Sequence, residues 1–535
     1  MASATRRNFL RYVGIVGGAG VMYETMAAMG LAPDTATPAF AAPRAGDLQG
    51  NNGKSVVVLG GGIAGLTTAY ELGKAGYKVT VLEARMRPGG RNWTVRGGTE
   101  ETDLKGVTQR AAFSKDQYMN AGPGRIPQHH VTLDYCKELG VAIEPFTNQN
   151  ADGYLFREGN TKLSNRPIRH RAAKADVYGY VSELLAKATD QGALDTYLSS
   201  ADKENLISFL QNFGAIGAKV PGDAAGSFKY AGSGRKGYST VPGAGLEAGE
   251  PLAPDALSDV FASGVGNYFS FEFGWDQAMM MFQPVGGMDR IPYAFEKAIG
   301  RDKFVYGAKV VSMTNTAAGV AVEYTNPGGQ AQRIEADFAV CTLPPHIAAN
   351  IPGNLPADVL EALKFATPSD AGKIGIEYSR RWWEEDHRIY GGITNTNIDL
   401  GNMWYPSTGF HGQRGTMVGY YNTGANARVY QSLSPANRLN RALDQGTRIH
   451  GDVYRKDVAA SFSVDWGSTA FSEGAWVGWP SQTDAKYAKL LEPSGNIYFA
   501  GDHLSHAVAW QHGAMTSARA AVTSLHTRVA AAVAG

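Results

Sequence analysis

Three glycines at a strand-to-helix junction, Gly60-x-Gly62-x-x-Gly65, constrain this chain more than any other feature. Before them Ser55 to Leu59 is a short β-branched run, the pattern of a buried strand. After them Ile63 to Ala75 repeats apolar residues at helical spacing, and Lys78 to Leu82 is a second strand-like run ending at Glu83. Strand, helix and strand in that order make a βαβ unit on a parallel sheet. Glycines let the backbone approach a pyrophosphate held at a helix N-terminus, and a carboxylate at the end of the second strand can accept from a ribose hydroxyl. The motif alone does not choose between NAD and FAD. Nearby Gly53-Lys54-Ser55 is no phosphate-binding P-loop, because Leu48 stands where the first glycine is required.

The rest of the composition narrows the function classes. At 535 residues the chain is long enough for three or four units, or for two large interleaved ones. Lys+Arg 50 against Asp+Glu 49 leaves +1, which argues against a nucleic-acid or anionic-membrane partner engaged through overall charge and makes small-molecule chemistry the default. Cys136 and Cys341 are the only cysteines, so a disulfide framework and any four-thiolate metal site are excluded. Of the 11 histidines, His503-x-x-His506 with His512 is the best cluster, but no His-Glu-x-x-His or carboxylate-rich spacing accompanies it and no metal is expected. No Gly-x-Ser-x-Gly elbow occurs, which disfavours a hydrolase.

At the N-terminus Thr5-Arg6-Arg7-Asn8-Phe9-Leu10-Arg11 precedes a Gly/Ala/Val-rich stretch and then a small-residue cleavage site, Ala39-Phe40-Ala41. This order resembles a twin-arginine export signal. Glu24 and the glycines at 17, 18 and 20 weaken a permanent membrane span. Cleavage after Ala41 removes three basic and two acidic residues, leaving 47 of each. The expected localisation is therefore periplasmic or secreted, by export of a folded protein.

Downstream, helical patterns between about Tyr178 and Leu210 lead into a Gly-rich stretch from Gly214 to Gly249, read as a helical insertion with a long loop. Strand-like runs return at Lys309 to Met313, Val320 to Tyr324, Phe338 to Leu343, Lys373 to Tyr378 and Thr416 to Tyr421. A last strand, Asn496 to Ala500, precedes Gly501-Asp502 and a helix from about Gly513.

Several ordered motifs carry a family resemblance: Ala84-Arg85-Met86-Arg87-Pro88-Gly89-Gly90-Arg91, Ala121-Gly122-Pro123-Gly124-Arg125-Ile126-Pro127, Pro284-Val285-Gly286-Gly287-Met288, Ile497-Tyr498-Phe499-Ala500-Gly501-Asp502 and Trp510. At these residues the chain resembles the flavin-containing amine oxidases, and among them the L-amino-acid oxidases. The resemblance implies an α/β fold in which a Rossmann-like FAD-binding domain is interleaved with a mixed α+β substrate-binding domain and a helical insertion. The implied parts are a signal at 1–41, a linker at 42–53, FAD-binding segments at 54–120, 281–350 and 476–535, substrate-binding segments at 121–180 and 351–475, and the insertion at 181–280.

By the same resemblance Gly60, Gly62, Ile63, Ala64, Gly65, Glu83 and Ala84 would hold the ADP half of FAD. Arg85, Gly89, Gly90 and Arg91 would line the pyrophosphate and ribityl region, with Gly122, Pro123, Gly124 and Arg125 adjoining the cofactor. Val310 would contact adenine through its backbone, and Gly501 and Asp502 would bind the ribityl end, where the family more often has Glu. Trp466, Trp510 and Gln511 would lie along the isoalloxazine. Ala475 stands where covalent members have the flavin-linking Cys, so non-covalent FAD is expected.

For substrate, the resemblance puts Arg125 on a carboxylate, because a guanidinium offers two parallel donors to one, with Tyr421 or its neighbour Tyr420 donating to the same group. Strand alternation allows only one of the two tyrosines to face the site. Trp510 would wall the substrate, Ala509 would offer its carbonyl to the amino group, and Lys373 would reach flavin N5 through a water and handle protons. His129 and His130 would adjoin the entrance. Side-chain preference would depend on loops between about Val181 and Phe282 and on the wall around Trp404 and Trp476.

The implied reaction is oxidation of an L-amino acid by O2 to a 2-oxo acid, ammonia and hydrogen peroxide; the implied partners are the amino acid, O2, the twin-arginine export machinery and a second copy in a homodimer. Three alternatives stay open: a monoamine or polyamine oxidase, an amino-acid 2-monooxygenase, and a non-catalytic binding protein on the same scaffold, like the prenylated-GTPase dissociation inhibitors.

Overall fold

The structure, a computed structural model, describes residues 40–44, 53–277 and 280–534. The twin-arginine segment and Ala39 lie outside the described residues.

Ser55–Leu59 forms the middle of a five-stranded sheet in the order 304–306, 78–83, 55–59, 338–341, 497–499, with every neighbouring pair parallel. Its side chains show why the run is apolar throughout. Val56 and Val58 enter one core, with the helices Ile63–Lys74 and Gln511–Ala534. Val57 and Leu59 enter a second, under the antiparallel sheet 309–315, 320–325, 331–336 and the helices Ala357–Phe365 and Ala485–Leu491. A strand covered on both faces cannot alternate apolar with polar.

Beside this domain lies a seven-stranded sheet in the order 167–169, 154–156, 392–396, 402–405, 415–423, 371–378, 458–465. Its penultimate strand, Ala371–Tyr378, is buried at all eight positions. The strand starts at Ala371, so Lys373 is its third residue and not its first, because Gly372 already pairs with Asn422 and Asp465. A three-stranded sheet, 126–127, 281–284, 143–146, joins the Arg125 segment to the far side.

The helical insertion begins at His170, earlier than the sequence pattern suggests, with His170–Asp190 packed on Ser200–Gly214. Its Gly-rich stretch is not all loop: a 3-10 turn at Gly234–Lys236 and a two-stranded ladder of 238–240 with 250–251 interrupt it. The buried ammonium of Lys236 ties this stretch to the long helix through Asp176 (2.6 Å) and to the segment before the next helix through Asp255 (2.8 Å). Among the described residues no helix is long and apolar enough to cross a membrane.

Candidate active site

The glycine turn has the geometry its spacing predicts. Gly60 has φ +97°, and a Cβ there would press on Thr342 and Leu343. A Cβ at Gly65 would sit 1.9 Å from the Gly60 carbonyl, so helix and strand meet only through glycine. At Gly62, the helix N-cap, a Cβ would meet no atom within 4 Å, which leaves the N-terminal amides facing open space. The Glu83 carboxylate is buried and held by two backbone amides, Gly61 N–H at 2.7 Å and Arg85 N–H at 2.7 Å, one on each oxygen. Each oxygen keeps a second lone pair for a hydroxyl. Ala308 N–H donates to the Glu83 carbonyl (2.9 Å), which brings Val310 to the end of the same strand.

The arginines are arranged differently from a simple lining. Arg85 turns its guanidinium to the 470–472 loop, on the Ala470 carbonyl and the Ser472 hydroxyl (2.8 Å). Arg91 pairs with Asp502 at 2.6 Å and donates to the Ala475 carbonyl at 2.8 Å. Burial pushes the Asp502 carboxyl up, but Arg91, His503 and the Ala509 amide outweigh it and hold it below the usual carboxylate range. Arg87, outside the expected set, donates to the Gly90 carbonyl (2.8 Å) and lies over the Trp93 ring (4.7 Å).

Whether these residues suit a flavin is tested by what they leave unmet. Gln511 is only 7% exposed, yet neither end of its amide has a partner among the described residues; the Asn92 amide beside Arg91 is buried and equally unmet. Buried polar groups ordinarily find partners. Two orphaned amides, the open face of Gly62 and the tethered Glu83 fit a long polar cofactor running from the glycine turn to the last helix. Trp466 is more enclosed than expected: it packs with Trp93 and Phe462, and its indole N–H holds the Ala121 carbonyl at 3.1 Å.

At the other end of that path five residues from five segments meet. Lys373 and Tyr421 are direct cross-strand partners and so share a face. Ile374 pairs with Tyr420 on the opposite face, where Tyr420 packs on Tyr430 with ring centroids 4.3 Å apart. The choice between the two tyrosines therefore falls on Tyr421. Lys373 Nζ donates to the Gly122 carbonyl and lies 4.7 Å from the Trp404 ring and 4.8 Å from the Tyr421 ring. Arg125 lies over the same Trp404 ring at 4.8 Å and donates to Gln277 Oε1 at 3.1 Å. A Cβ at Gly124 would come within 2.7 Å of Trp404, and one at Gly122 within 2.0 Å of the Arg91 carbonyl, which is why this segment needs both glycines.

Burial sets the electrostatics. Lys373 is 4% exposed, and desolvation, helped by the Arg125 charge, lowers its ammonium pKa to about 7. Desolvation brings Arg125 down to about 10, with Tyr421 and Asp276 pulling the other way. The Tyr421 phenol is raised by burial.

Trp510 donates its indole N–H to Asp276 at 2.9 Å and stands edge-on to His130, with centroids 5.1 Å apart. Ala509, just before it, has φ +68°, a left-handed conformation that favours glycine over alanine. His130 stacks on His512 (4.5 Å), and His129 contacts Trp275 (4.0 Å), so both histidines adjoin the Trp510 wall. Burial lowers His130 to about 3. His503 sits apart, its carbonyl taken by Trp479 and its ring buried, and His506 contacts Gln482. Among the described residues no three His, Cys, Asp or Glu side chains are placed so that they could hold a metal ion together. Trp404 belongs to the cluster; Trp476 lies across from Ser369 in a separate ladder. Asp276 and Gln277 were not legible as site residues, since no motif surrounds them.

Residues 63–526 match the model of the flavin-containing amine oxidoreductases. The chain belongs to that family. Its cofactor is FAD, and it is an oxidoreductase with the Rossmann-like fold the glycine turn announced. Among curated proteins it is 26% identical over 471 residues to an L-amino-acid oxidase of Protobothrops flavoviridis, covering 86% of each chain. A Vipera ammodytes ammodytes L-amino-acid oxidase is likewise 26% identical over 471 residues, covering 86% of this chain and 90% of that one. Among solved structures, cyclohexylamine oxidase from Brevibacterium oxydans superposes with TM-score 0.58 at 19% identity, covering 89% of this chain and 99% of that one. Putrescine oxidase bound to putrescine gives TM-score 0.56 at 20% identity with the same coverage. At these identities the solved structures speak for the fold alone.

Proposed function

We propose that the protein oxidises L-amino acids to 2-oxo acids, with O2 and water consumed and ammonia and hydrogen peroxide released. The observation that carries this reading is Arg125: a buried guanidinium on the same indole as Lys373, in a pocket where a plain amine would find no use for it. A buried arginine with Tyr421 at hand binds a carboxylate through paired, charge-assisted hydrogen bonds. Gln277, whose carbonyl oxygen now occupies one Arg125 donor, would yield that donor to the substrate.

Bound FAD, held non-covalently since Ala475 offers no sulfur, supplies the two-electron acceptor and its reoxidation by O2. Gly60, Gly62, Gly65, Glu83, Arg91, Asp502 and Gln511 would hold it. The chain's own contribution is orientation and proton handling. Arg125 and Tyr421 fix the substrate at its carboxylate, Trp510 limits its swing, and the Ala509 carbonyl accepts from the amino group. With its pKa near 7, Lys373 is substantially neutral at working pH and can take a proton at Nζ while Gly122 fixes its position. The aromatic walls exclude water from the reacting atoms.

The Arg6-Arg7 segment supports export of the folded protein by the twin-arginine route. The activity is tested by measuring peroxide release across a panel of L-amino acids and their decarboxylated amines, for the wild type and Arg125→Ala. Removing one partner of such a pair costs about 2–5 kcal/mol, so KM for amino acids should rise by at least about 30-fold with little change for amines. Equal effects on both substrates would overturn the carboxylate role; an amide product would assign the chain to the monooxygenases.

A further inference from the structure

Between the three-stranded sheet and the seven-stranded one lies a cavity of about 350 Å³, the size of a small-ligand site. Gly124 and Trp404 line it, the residue before Arg125 and the indole on which Arg125 lies. Val418, the cross-strand partner of Trp404, continues the wall, so this is the sheet face that also presents Tyr421 to the indole. The opposite wall is Glu144, Phe146 and Gln283 of the three-stranded sheet.

Strand register relates that wall to Arg125. Met281 pairs with both Pro127 and Phe146, Phe282 with both Ile126 and Pro145, and Gln283 with Glu144. Cross-strand partners share a face, and Met281 and Phe146 show which one, since both pack in the Trp404 cluster. Glu144, two residues from Phe146, turns the same way: it is half-buried where Ile143 and Pro145 are exposed. Arg125 immediately precedes Ile126, so continuing the register by one residue sets it level with Gln283 and Glu144. Two strand spacings, about 10 Å, then separate the backbones of Arg125 and Glu144.

The charges in this cavity are settled by their partners. Glu144 accepts from Gln283 Nε2 at 3.2 Å on one oxygen, and among the described residues no lysine or arginine pairs with it. Burial pushes its carboxyl up, with only the Gln283 hydrogen bond acting against it. Arg381 is the only arginine or lysine of the wall among the described residues, and it is committed to Glu384 and to the carbonyls of Thr408 (3.0 Å) and Arg414 (3.1 Å). Asp116, exposed, lines the cavity too and adds a charge of the same sign as Glu144.

We infer that this cavity receives the side chain of the substrate and that Glu144 binds a positive charge at its end, so that long basic L-amino acids are favoured over neutral ones of the same shape. The inference rests on the amino-acid oxidase reading of Arg125 and adds the substrate class. An extended lysine carries its ammonium roughly 7–8 Å from its carboxylate carbon, and a hydrogen bond at each end completes the span from Arg125 to Glu144. Trp404 and Phe146 flank the methylenes, as apolar surface flanks the stem of any long cationic side chain. Gln283 holds one Glu144 oxygen and leaves the other for the cation.

The test compares kcat/KM for L-arginine with L-citrulline, and for L-lysine with L-norleucine, in the FAD-loaded wild type and in Glu144→Gln. A charge-assisted hydrogen bond is expected to favour each cation over its neutral counterpart by about tenfold, a preference that added salt weakens. In Glu144→Gln both ratios should collapse to near one. Ratios that stay put, or a wild type that prefers the neutral partners, overturn the inference. Should the variant fail to fold, the wild-type salt series decides: a steeper fall with ionic strength for the basic substrates supports the inference, and equal slopes overturn it. Peroxide from neutral L-amino acids with no preference for basic ones sinks this inference alone. Peroxide from amines only sinks the amino-acid reading and this one with it.

Discussion

Replacing Lys373 by Met tests the central electrostatic claim through stability as well as catalysis. A lysine whose pKa is 10.5 unfolded and about 7 folded must shed its proton, or carry it unsolvated, in order to fold. Because the folded value is the lower one, the unfolded state binds more protons between pH 7 and 10.5. The penalty is therefore fully present below about pH 7 and is relieved as pH rises towards 10.5. At 1.36 kcal/mol per unit, linkage gives a penalty of about 4 kcal/mol at pH 7 and about 2 kcal/mol at pH 9. Met fills the same volume without a charge, but it abandons the Gly122 carbonyl and the longer contact to the Asn120 carbonyl at 3.5 Å. An unmet buried acceptor costs about 1–3 kcal/mol, and this term does not depend on pH. Lys373→Met should thus be stabilising or neutral at pH 7 and about 2 kcal/mol less favourable at pH 9. Urea unfolding of the FAD-loaded proteins at the two pH values measures it, provided the slopes agree. A mutational effect that is the same at both pH values would refute the buried, proton-shedding lysine. The same variant should lose about 10²- to 10⁴-fold in kcat, the usual worth of a positioned proton acceptor.

Two further substitutions separate site from scaffold. Tyr421→Phe should raise KM for L-amino acids about tenfold, the worth of a hydrogen bond to a charged group, whereas Tyr420→Phe, in the core against Tyr430, should leave KM in place and lower only thermal stability; the reverse pattern would mean that the register of 371–378 on 415–423 is misread. Gly124→Ala should push Trp404 off the ring position that Arg125 and Lys373 share, costing about 1–3 kcal/mol of stability and raising KM; an alanine tolerated in both respects would show that the 2.7 Å approach relaxes freely.

The parts of this protein written in local pattern were legible, and the parts written in tertiary register were not. The βαβ unit could be read because strand, turn and helix follow one another in a single short stretch, within which a Cβ at Gly65 would strike the Gly60 carbonyl. Lys373 could be placed on a strand but not on a face: all eight residues of Ala371–Tyr378 are buried, so the period-two signal that distinguishes faces is absent. What puts Lys373 beside Tyr421 is the pairing of two strands some forty residues apart, with a register shift just beyond at Ile374 and Gly375. The Arg91–Asp502 pair is separated by 411 residues, and alone the arginine reads as a cofactor ligand rather than as the partner of that carboxylate. Asp276 and Gln277 carry no periodicity or motif, and only the fold brings them to Trp510 and Arg125.

The two cations on Trp404 explain why this site needs both of its basic residue types. Each lies under 5 Å from the indole and each is buried, so both cannot stay charged without strong mutual repulsion. A guanidinium keeps its proton even here, at about 10, and serves as the fixed positive charge that a carboxylate requires. An ammonium in the same surroundings gives its proton up near 7, and the fixed guanidinium beside it helps it to do so. Exchanging the types would leave a binding residue that can lose its charge and a proton acceptor that cannot accept. A carboxylate settling on Arg125 also cancels part of the charge that depresses Lys373, so recognition of the acid raises the proton affinity of the amine beside it. Desolvation remains the larger cause, and the amine stays well below an exposed lysine. Substrate recognition and proton acceptance are in this way coupled through one indole, with no need for the two side chains to touch.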